Sequence, residues 1–413
     1  MRIAIVGAGF TGLTAALRLS QKGHQVFLFE KEKKAGGLAG GFKEPGWAWY
    51  LDSFYRHLFS NDLTAKNLLE EVGVKIIWSK PKSSVLKDGQ IYRFDSPLSI
   101  LSFPHFSWPD KIRTGLISLY LKLNNHWQPF EKVAAYRWLK KFYGERVYQV
   151  IWSPLLKGKF GSFAEKIPMT WFWARIKKRT PCLGYPEGGF QSLIDKLVKE
   201  IEKNNGCFYF QKEIKSFNDF GEKFDRIIFT TPISVFAKIM KEKLLPDYQK
   251  KLGQFKMMGS LNLTLNIKEK FLKDRTYWLN VNQEGFPFVA VVDHSNFVKP
   301  DFYGKNYFLY VGGYYPVEHP FFKMSKENLL KEFLPFLKKI NPEFNQSWVK
   351  KSYFFANLDA QPLFTLDYLK IIPPLKTPIK NVFLATMQQI YPWDRGVNYA
   401  IEMGERIADL IEK

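Results

Sequence analysis

The first thirty residues combine two short apolar runs with one amphipathic segment. Residues 3–6 are uniformly apolar, as in a parallel strand that is covered on both faces, and residues 26–29 repeat the pattern. Between them, residues 13–19 carry an apolar face at helical spacing, and Gly23 ends that helix. The pattern predicts a strand–helix–strand unit at the N-terminus.

The middle of the chain shows both helical and strand periodicity. A glycine turn feeds an amphipathic helix over 187–202, and residues 208–217 and 226–232 predict strands of the first unit. Residues 261–267 alternate like a half-solvated strand. Residues 307–313 predict another strand, so we expect an antiparallel sheet capped by helices, one of which covers 325–340.

The C-terminal residues predict a strand, a loop and a helix. The strand covers 381–385, the loop 386–395 and the helix 396–411. We expect this strand and helix to return to the sheet of the N-terminal unit.

Three glycines at the first strand–helix junction have the spacing GxGxxG. Gly7 makes the tight turn, Gly9 lets backbone N–H groups approach a pyrophosphate, and Gly12 lets helix and strand pack closely. The positive end of the helix then faces the pyrophosphate, with Phe10 and Thr11 at that end. These residues predict a dinucleotide site.

An acidic residue and a second glycine-rich segment extend this prediction. Glu30 ends the second strand, where it can accept hydrogen bonds from a ribose diol, and Lys31 follows it. Gly36, Gly37 and Leu38 then begin a run with two glycine pairs, which lets the chain lie against a cofactor that continues past the first mononucleotide. This run resembles the second half of an FAD fingerprint.

The C-terminal helix has a predicted role toward the flavin ring. Gly396 and Val397 stand at its start. The positive end of a helix stabilises the negative charge that gathers at N1 and C2=O of a reduced flavin. We expect this helix to tune the flavin.

Composition favours a folded enzyme of two domains. The chain has 413 residues, of which 46% are hydrophobic and 17% aromatic, and single cores stop growing near ~250–300 residues. No segment reaches the ~18 apolar residues of a membrane span. Because the first strand begins at residue 2, we expect a cytoplasmic protein without a leader. Two cysteines and six histidines without ligand spacing predict no metal.

The net charge of +22 leaves two interpretations open. Lysines spread along most of the chain favour ordinary solvated side chains and argue against a nucleic-acid partner. The alternative is peripheral contact with an anionic membrane. Residues 97–123 are aromatic, apolar and basic, as a membrane contact would be, but a core helix pair is the favoured interpretation.

These motifs together resemble the FAD-dependent amine oxidase superfamily, with protoporphyrinogen oxidase and phytoene desaturase as relatives. The resemblance rests on residues 7–41, 185–193, 224–232 and 383–404. It implies FAD in an extended pose, bound noncovalently because no cysteine lies near the C-terminal motif. The sequence departs from the family pattern at Ala385-Thr386-Met387, where a Gly-Asp pair is usual.

The resemblance also implies the architecture. The fold class is α/β, a Rossmann-like FAD-binding domain interleaved with an α+β substrate-binding domain. Residues 1–80, 184–250 and 376–413 are assigned to the first, and residues 81–183 and 251–375 to the second.

The implied activity is that of an FAD-dependent oxidoreductase. A hydride equivalent passes from a C–H or C–N bond of a small organic molecule, an amine, a polyene or a porphyrinogen-like compound, to flavin N5. His57, beside Tyr55 and Arg56, lies on the segment expected to pass the flavin, although a structural histidine is the favoured interpretation. Trp393 and Arg395 lie in the loop that faces the ring, and Arg395 is assigned to a flavin or substrate anion.

Two other functions stay open, as does the oligomeric state. The first is a non-redox flavoenzyme resembling UDP-galactopyranose mutase, in which Arg175, Arg179 and Arg395 clamp a diphosphate. The second is an FAD-stabilised basic scaffold without catalysis.

Overall fold

The structure is a computed structural model that describes all residues, 1–413. Seventeen strands run in chain order: β1 Arg2–Val6, β2 Gln25–Phe29, β3 Gly41–Phe42, β4 Leu51–Asp52, β5 Leu58–Phe59, β6 Ile76–Ser79, β7 Lys82–Lys87, β8 Gln90–Arg93, β9 Leu183–Pro186, β10 Cys207–Tyr209, β11 Arg226–Phe229, β12 Met257–Ile267, β13 Thr276–Val281, β14 Ala290–Asp293, β15 Tyr307–Tyr315, β16 Val349–Pro362 and β17 Val382–Leu384.

Fourteen α-helices, together with short 3₁₀ turns and one π-helical turn at Tyr148–Trp152, connect the strands. They are α1 Phe10–Gln21, α2 Leu63–Glu71, α3 Pro97–Leu101, α4 Trp108–Leu123, α5 Ala135–Tyr143, α6 Glu145–Val147, α7 Ser153–Phe160, α8 Met169–Lys178, α9 Phe190–Lys203, α10 Ile233–Ile239, α11 Pro246–Leu252, α12 Lys326–Ile340, α13 Tyr368–Ile371 and α14 Val397–Glu412.

A five-stranded parallel sheet joins the two ends of the chain. Its order is β10-β2-β1-β11-β17, so the N-terminal strand lies at the centre and the C-terminal strand at one edge. Helices α1, α9 and α14 pack together beside it. The predicted strand–helix–strand unit and the return of the C-terminus are both confirmed.

A seven-stranded sheet forms the second layer, in the order β16-β12-β15-β14-β13-β7-β8. All its neighbours are antiparallel except β13 and β7. The prediction that 261–267 is half-solvated is wrong, because Asn262 and Thr264 are fully buried. Their polar atoms are used inside the protein: the Asn262 amide donates to the Ser53 carbonyl at 2.9 Å.

The strand predicted over 208–217 is much shorter in the structure. β10 ends at Tyr209, and Gln211 has a φ of +57° that takes the chain out of the sheet. The apolar residues beyond it pack into the adjoining core, where Ile214 is buried and Phe217 half-buried.

Residues 97–123 form two helices, as expected. The favoured interpretation of a core helix pair is nevertheless wrong, because α4 lies largely outside the core. Of the sixteen residues of α4, only Thr114 and Leu121 are buried. Six large apolar side chains of this helix are instead at least half exposed. No helix of the protein has the length and apolar composition needed to span a membrane.

The two larger sheets draw on different parts of the chain. Every strand of the five-stranded sheet lies within 1–80, 184–250 or 376–413, and every strand of the seven-stranded sheet lies within 81–183 or 251–375. The domain division itself stays a prediction, since the helices and the smaller sheets connect both layers.

Candidate functional site

The turn between β1 and α1 has the backbone geometry that close approach of a ligand requires. Gly7 has a φ of +104°, and a Cβ on it would lie 2.9 Å from Thr230 Oγ1. A Cβ on Gly12 would lie 2.0 Å from the Gly7 carbonyl oxygen, so strand and helix can approach only without a side chain here. A Cβ on Gly9 would meet no atom within 4 Å. The open space in front of Gly9 suits a pyrophosphate.

The first turn of α1 offers unused hydrogen-bond donors. Gly9 is the N-cap residue, no side chain caps the helix, and the first turn contains no acid. The N–H groups of Phe10, Thr11 and Gly12 therefore have no intrahelical acceptor. The Phe10 side chain is buried, and Thr11 Oγ1 donates to the Ala400 carbonyl at 3.0 Å. This positive helix end suits an anionic group.

Glu30 lies beside this turn, at the end of β2 as predicted. Its carboxylate accepts the N–H groups of Ala8 at 2.8 Å and Glu32 at 3.0 Å, and the residue is buried. It therefore supports the turn, and its contact with a ribose stays a prediction. The Lys31 side chain is exposed, with a 3.8 Å ion pair to Glu32.

The second glycine segment lies directly against the first. Gly36 has a φ of +139° and donates its N–H to the Ala8 carbonyl at 2.9 Å. Gly37 has a φ of +53°, and a Cβ on it would lie 3.5 Å from the Gly9 Cα. The two segments form one continuous backbone surface, as an extended cofactor requires.

Two side chains from distant segments hold this glycine-rich run in place. The Arg56 guanidinium donates to the carbonyls of Leu38 and Phe54. Gln191, at the start of α9, accepts the Gly41 N–H at 3.0 Å. The structure thus assigns Arg56 a backbone-positioning role, and it connects the motif at 185–193 to the N-terminal motif.

The start of α14 lies next to the start of α1. Thr11 bonds to Ala400 in the first turn of α14, and a Cβ on Gly404 would lie 2.6 Å from the Thr11 carbonyl oxygen. Gly396 is the N-cap residue, without a side-chain cap or an acid in the first turn, and Val397 packs against the core. Two positive helix ends are thereby close together.

His57 is held in a ring of aromatic side chains. Its Nδ1 lies 3.3 Å from the Tyr277 hydroxyl, and Phe59 and Trp278 contact the imidazole edge to face. Burial, together with the positive charge of Arg179, lowers the pKa of His57 to about 3. The imidazole is therefore neutral at physiological pH.

We expect the His57 imidazole not to titrate between pH 5 and 8. In the unfolded chain the same group takes up a proton below about pH 6.5, so acidification favours unfolding until the pH approaches 3. Heteronuclear NMR of the histidine rings, with His57→Gln to assign the signal, measures this. A His57 resonance that shifts with a midpoint between 6 and 7 would contradict the neutral state.

Trp393 forms one wall of the region in front of α14. Its indole stacks on Trp173 at 5.2 Å and on Tyr399 at 5.9 Å between ring centroids. The Lys178 ammonium lies 4.5 Å from the centre of the same ring. These contacts give Trp393 a fixed orientation.

Arg395 and Asp394 belong to a partly buried charged network. Arg395 donates to Gln361 Oε1 at 3.0 Å and to the Tyr314 hydroxyl at 2.5 Å. Asp394 accepts the Lys159 ammonium at 2.6 Å. Burial alone would raise the pKa of Asp394, but the positive charges of Lys159, Arg395 and Arg175 outweigh it and hold the pKa well below its usual range. Asp394 is therefore ionised.

Arg175 and Arg179 lie close to this network without a partner. Neither guanidinium donates a hydrogen bond or forms an ion pair within the protein; Arg175 only stacks over Trp171, at 5.8 Å. Burial lowers the pKa of both residues, and repulsion by Arg175 adds to the effect on Arg179. By accessible surface Arg175 is half-buried and Arg179 exposed, so both guanidiniums are accessible to a ligand. Four cationic groups thus share one carboxylate, Asp394.

The sequence reasoning missed several members of this network. Lys159 and Asp394 form its central ion pair, while Tyr314 and Gln361 hold Arg395. Asp394 could have been noticed beside Arg395. Nothing in the local pattern distinguishes Lys159, Tyr314 or Gln361, because their proximity depends on long-range packing.

Comparison with known proteins agrees with this geometry. The sequence model of flavin containing amine oxidoreductases matches residues 10–412. The 15-cis-phytoene desaturase of Capsicum annuum is 24% identical over 293 residues, which are 60% of this chain and 50% of the desaturase. The chain spans about half the length of the curated relatives that it matches over more than a short segment.

Solved structures with the same fold have different activities. An oxidoreductase from Methanosarcina mazei superposes with a TM-score of 0.77 at 18% identity, covering 100% of both chains. A reduced UDP-galactopyranose mutase also gives 0.77, at 14% identity, covering 100% of this chain and 93% of the mutase. The fold therefore does not distinguish an oxidoreductase from a mutase.

Proposed function

The chain belongs to the family of flavin containing amine oxidoreductases, and from this premise we propose that it binds FAD noncovalently and oxidises an anionic organic molecule. The observation that carries the cofactor assignment is the open space in front of Gly9, where the uncapped starts of α1 and α14 meet. This arrangement suits a cofactor with a pyrophosphate in its middle and a reducible ring at one end.

Each part of the cofactor has candidate contacts in the chain. The N–H groups of Phe10, Thr11 and Gly12 would hold the pyrophosphate, and Glu30 the ribose diol. The backbone of 36–38 would follow the cofactor. The N–H groups at the start of α14, Gly396 and Val397, would face the ring.

Bound FAD would supply the two-electron acceptor, whose N5 takes a hydride equivalent from the substrate and which oxygen, a quinone or another acceptor reoxidises. The residues of this chain would orient the substrate and exclude water, which hydride transfer needs more than a dedicated acid or base. Trp393 supplies a rigid wall for this purpose, and His57, being neutral, is not a proton donor at physiological pH.

The unpaired arginines carry the proposal about substrate charge. Several cations around the single carboxylate of Asp394 leave an excess of positive charge, and an anion between Arg175, Arg179 and Arg395 would compensate it. A protonated amine would be repelled there, and an uncharged polyene would leave the charges uncompensated. A porphyrinogen-like compound with carboxylates is therefore favoured among the candidate substrates.

Anaerobic mixing tests the reaction type. The flavin-loaded protein is mixed with amines, polyenes, porphyrinogens and sugar nucleotides, and the flavin absorbance is followed. We expect a carboxylate-bearing substrate to bleach the flavin without any added reductant. Bleaching by an amine alone would contradict the substrate charge, and no bleaching by any compound would contradict the oxidation itself.

The same arginines favour a second candidate, a non-redox flavoenzyme acting on a sugar nucleotide. Paired guanidiniums bind diphosphates as well as carboxylates. In this case a sugar nucleotide would leave the oxidised flavin yellow, and isomerisation would need prior chemical reduction of the protein. The two candidates therefore differ in whether the substrate itself reduces the flavin.

Replacing Glu30 by Ala is expected to raise the Kd for FAD by about ten- to a hundredfold. The variant loses a charge-assisted bond to the ribose, worth about 1.5–3 kcal/mol, and it frees the N–H groups of Ala8 and Glu32. Flavin release on dilution measures the change, with Glu32→Ala as the exposed control. Equal retention by the Glu30→Ala variant and wild type would remove Glu30 from the site.

A further inference from the structure

One face of α4 exposes a continuous stripe of large apolar side chains. Its members follow the helical repeat and are each 50–68% exposed: Trp108, Ile112, Leu116, Leu119, Tyr120 and Leu123. On the neighbouring α3, Leu98 is 77% exposed. Contiguous exposed apolar surface of this kind marks an interaction site. We call these six residues of α4 the apolar stripe.

The opposite face of α4 is firmly attached, so the exposure of the stripe is a fixed property of the fold. Thr114 and Leu121 are buried, and Ser118 Oγ lies 3.0 Å from the Tyr143 hydroxyl. At the C-terminal end, the Lys122 ammonium donates to carbonyls at the end of α8, and the Lys177 ammonium returns the contact to the end of α4.

Positive charge surrounds the stripe. By the helical repeat, Arg113 lies along one border and Lys111 along the other. Residues 97–180 contain 15 Lys and Arg but only four Asp and Glu, so about a fifth of the chain carries half of its net charge of +22. The excess comes from a shortage of acidic residues, since lysines are no denser in this region than elsewhere along the chain.

An apolar stripe with basic borders matches the surface of an anionic lipid bilayer. The apolar side chains enter the boundary between headgroups and acyl chains while Lys and Arg meet the lipid phosphates and carboxylates. A second copy of this chain fits less well, because the same excess of positive charge would repel it. We propose that the protein docks on anionic membranes through the apolar stripe of α4, which lies parallel to the bilayer plane.

This surface is one helix away from the candidate substrate site. α4 is bonded to α8, and the C-terminal half of α8 and the residue after it carry Arg175 and Arg179. Docking through the stripe would therefore place these two arginines close to the membrane surface. The proposal does not depend on the reaction that the flavin carries out.

Flotation of the flavin-loaded protein with lipid vesicles tests the proposal. One set contains phosphatidylcholine alone and the other phosphatidylcholine with phosphatidylserine. We expect the protein to float with the anionic vesicles, at least about tenfold more strongly than with the neutral ones, and less so in high salt. Equal binding to both sets, or no binding to the anionic set, would overturn the proposal.

Substitution in the stripe separates membrane docking from general basicity. Leu116→Asp should lower the partition coefficient on anionic vesicles by at least about tenfold, since it removes buried apolar area and adds a repelled charge. The matched control is Leu245→Asp, another leucine that is 69% exposed, and it should bind like wild type. Both variants should keep their flavin, which shows that they fold.

If Leu116→Asp and Leu245→Asp bind vesicles equally well, the stripe is not the docking surface. Sedimentation of the same proteins without lipid tests whether the stripe instead binds a second copy of this chain. A wild-type dimer that Leu116→Asp converts to a monomer would assign the stripe to a second copy and overturn the membrane proposal. A wild-type monomer supports it.

Discussion

A Gly9→Val variant is expected to fold and to purify with less than about a tenth of the wild-type flavin. A Cβ on Gly9 would meet no protein atom within 4 Å, so the free protein has room for the new side chain. That room is where the pyrophosphate would approach the backbone, and a valine there would keep the phosphate oxygens from the N–H groups of α1. Flavin absorbance per polypeptide measures the loss.

A matched glycine provides the control for this experiment. A Cβ on Gly115 of α4 would also meet nothing within 4 Å, but Gly115 lies far from the turn in sequence and faces outward. Gly115→Val should keep its full flavin content, and circular dichroism should show both variants folded. Full flavin content in folded Gly9→Val would refute the placement of the pyrophosphate at this turn.

The double replacement of Arg175 and Arg179 by Met is expected to lower the affinity for an anionic substrate by roughly 10²–10⁴-fold. Each lost charge-assisted hydrogen bond is worth about 1.5–3 kcal/mol, and two such losses give this range. Inorganic pyrophosphate and succinate, titrated into the flavin-loaded protein, serve as probes, and a change in the flavin spectrum reports binding. Pyrophosphate binding favours a diphosphate substrate, and succinate binding a carboxylate.

The same double variant should be more stable than the wild type when no anion is present. It removes two guanidiniums that repel each other, and Arg175 also repels the Lys159 ammonium. Thermal unfolding measures this, and Arg137→Met serves as control because Arg137 is exposed and bonded only to its neighbour Tyr136. A less stable double variant with unchanged probe affinity would show that the two arginines have a structural role.

Local pattern was sufficient for most elements of the five-stranded sheet. The strand at 3–6, the helix after Gly9 and the C-terminal strand and helix all have strong periodicities, and they lie where expected. The polar–apolar alternation of β12 predicted solvent on one face, because alternation cannot show which side of a sheet faces other protein. Asn262 bonds to Ser53, more than two hundred residues away.

The helix pair at 97–123 shows a second limit of pattern reasoning. An amphipathic helix can turn its apolar face toward the core or away from it, and the period is the same in both cases. In α4 the small or short side chains Thr114 and Ser118 face inward, while Trp108 and Leu116 face outward. Only the packing around the helix decides between the two.

The candidate site likewise contains residues that a local motif reveals and residues that only long-range packing brings together. Gly7, Gly9, Gly12 and Glu30 could be recognised because a single local motif contains them. The network around Asp394 draws on Lys159, Tyr314 and Gln361, which come from three distant segments. Their charge and hydrogen-bonding roles depend on burial, which no short stretch of sequence reveals.

The central claim is that the two ends of the chain together enclose one FAD. Purified protein is precipitated with acid, and the released chromophore is identified and counted by chromatography. The account predicts FAD, released intact, at one molecule per polypeptide. A colourless protein that takes up no FAD even when the cofactor is supplied in excess would contradict it.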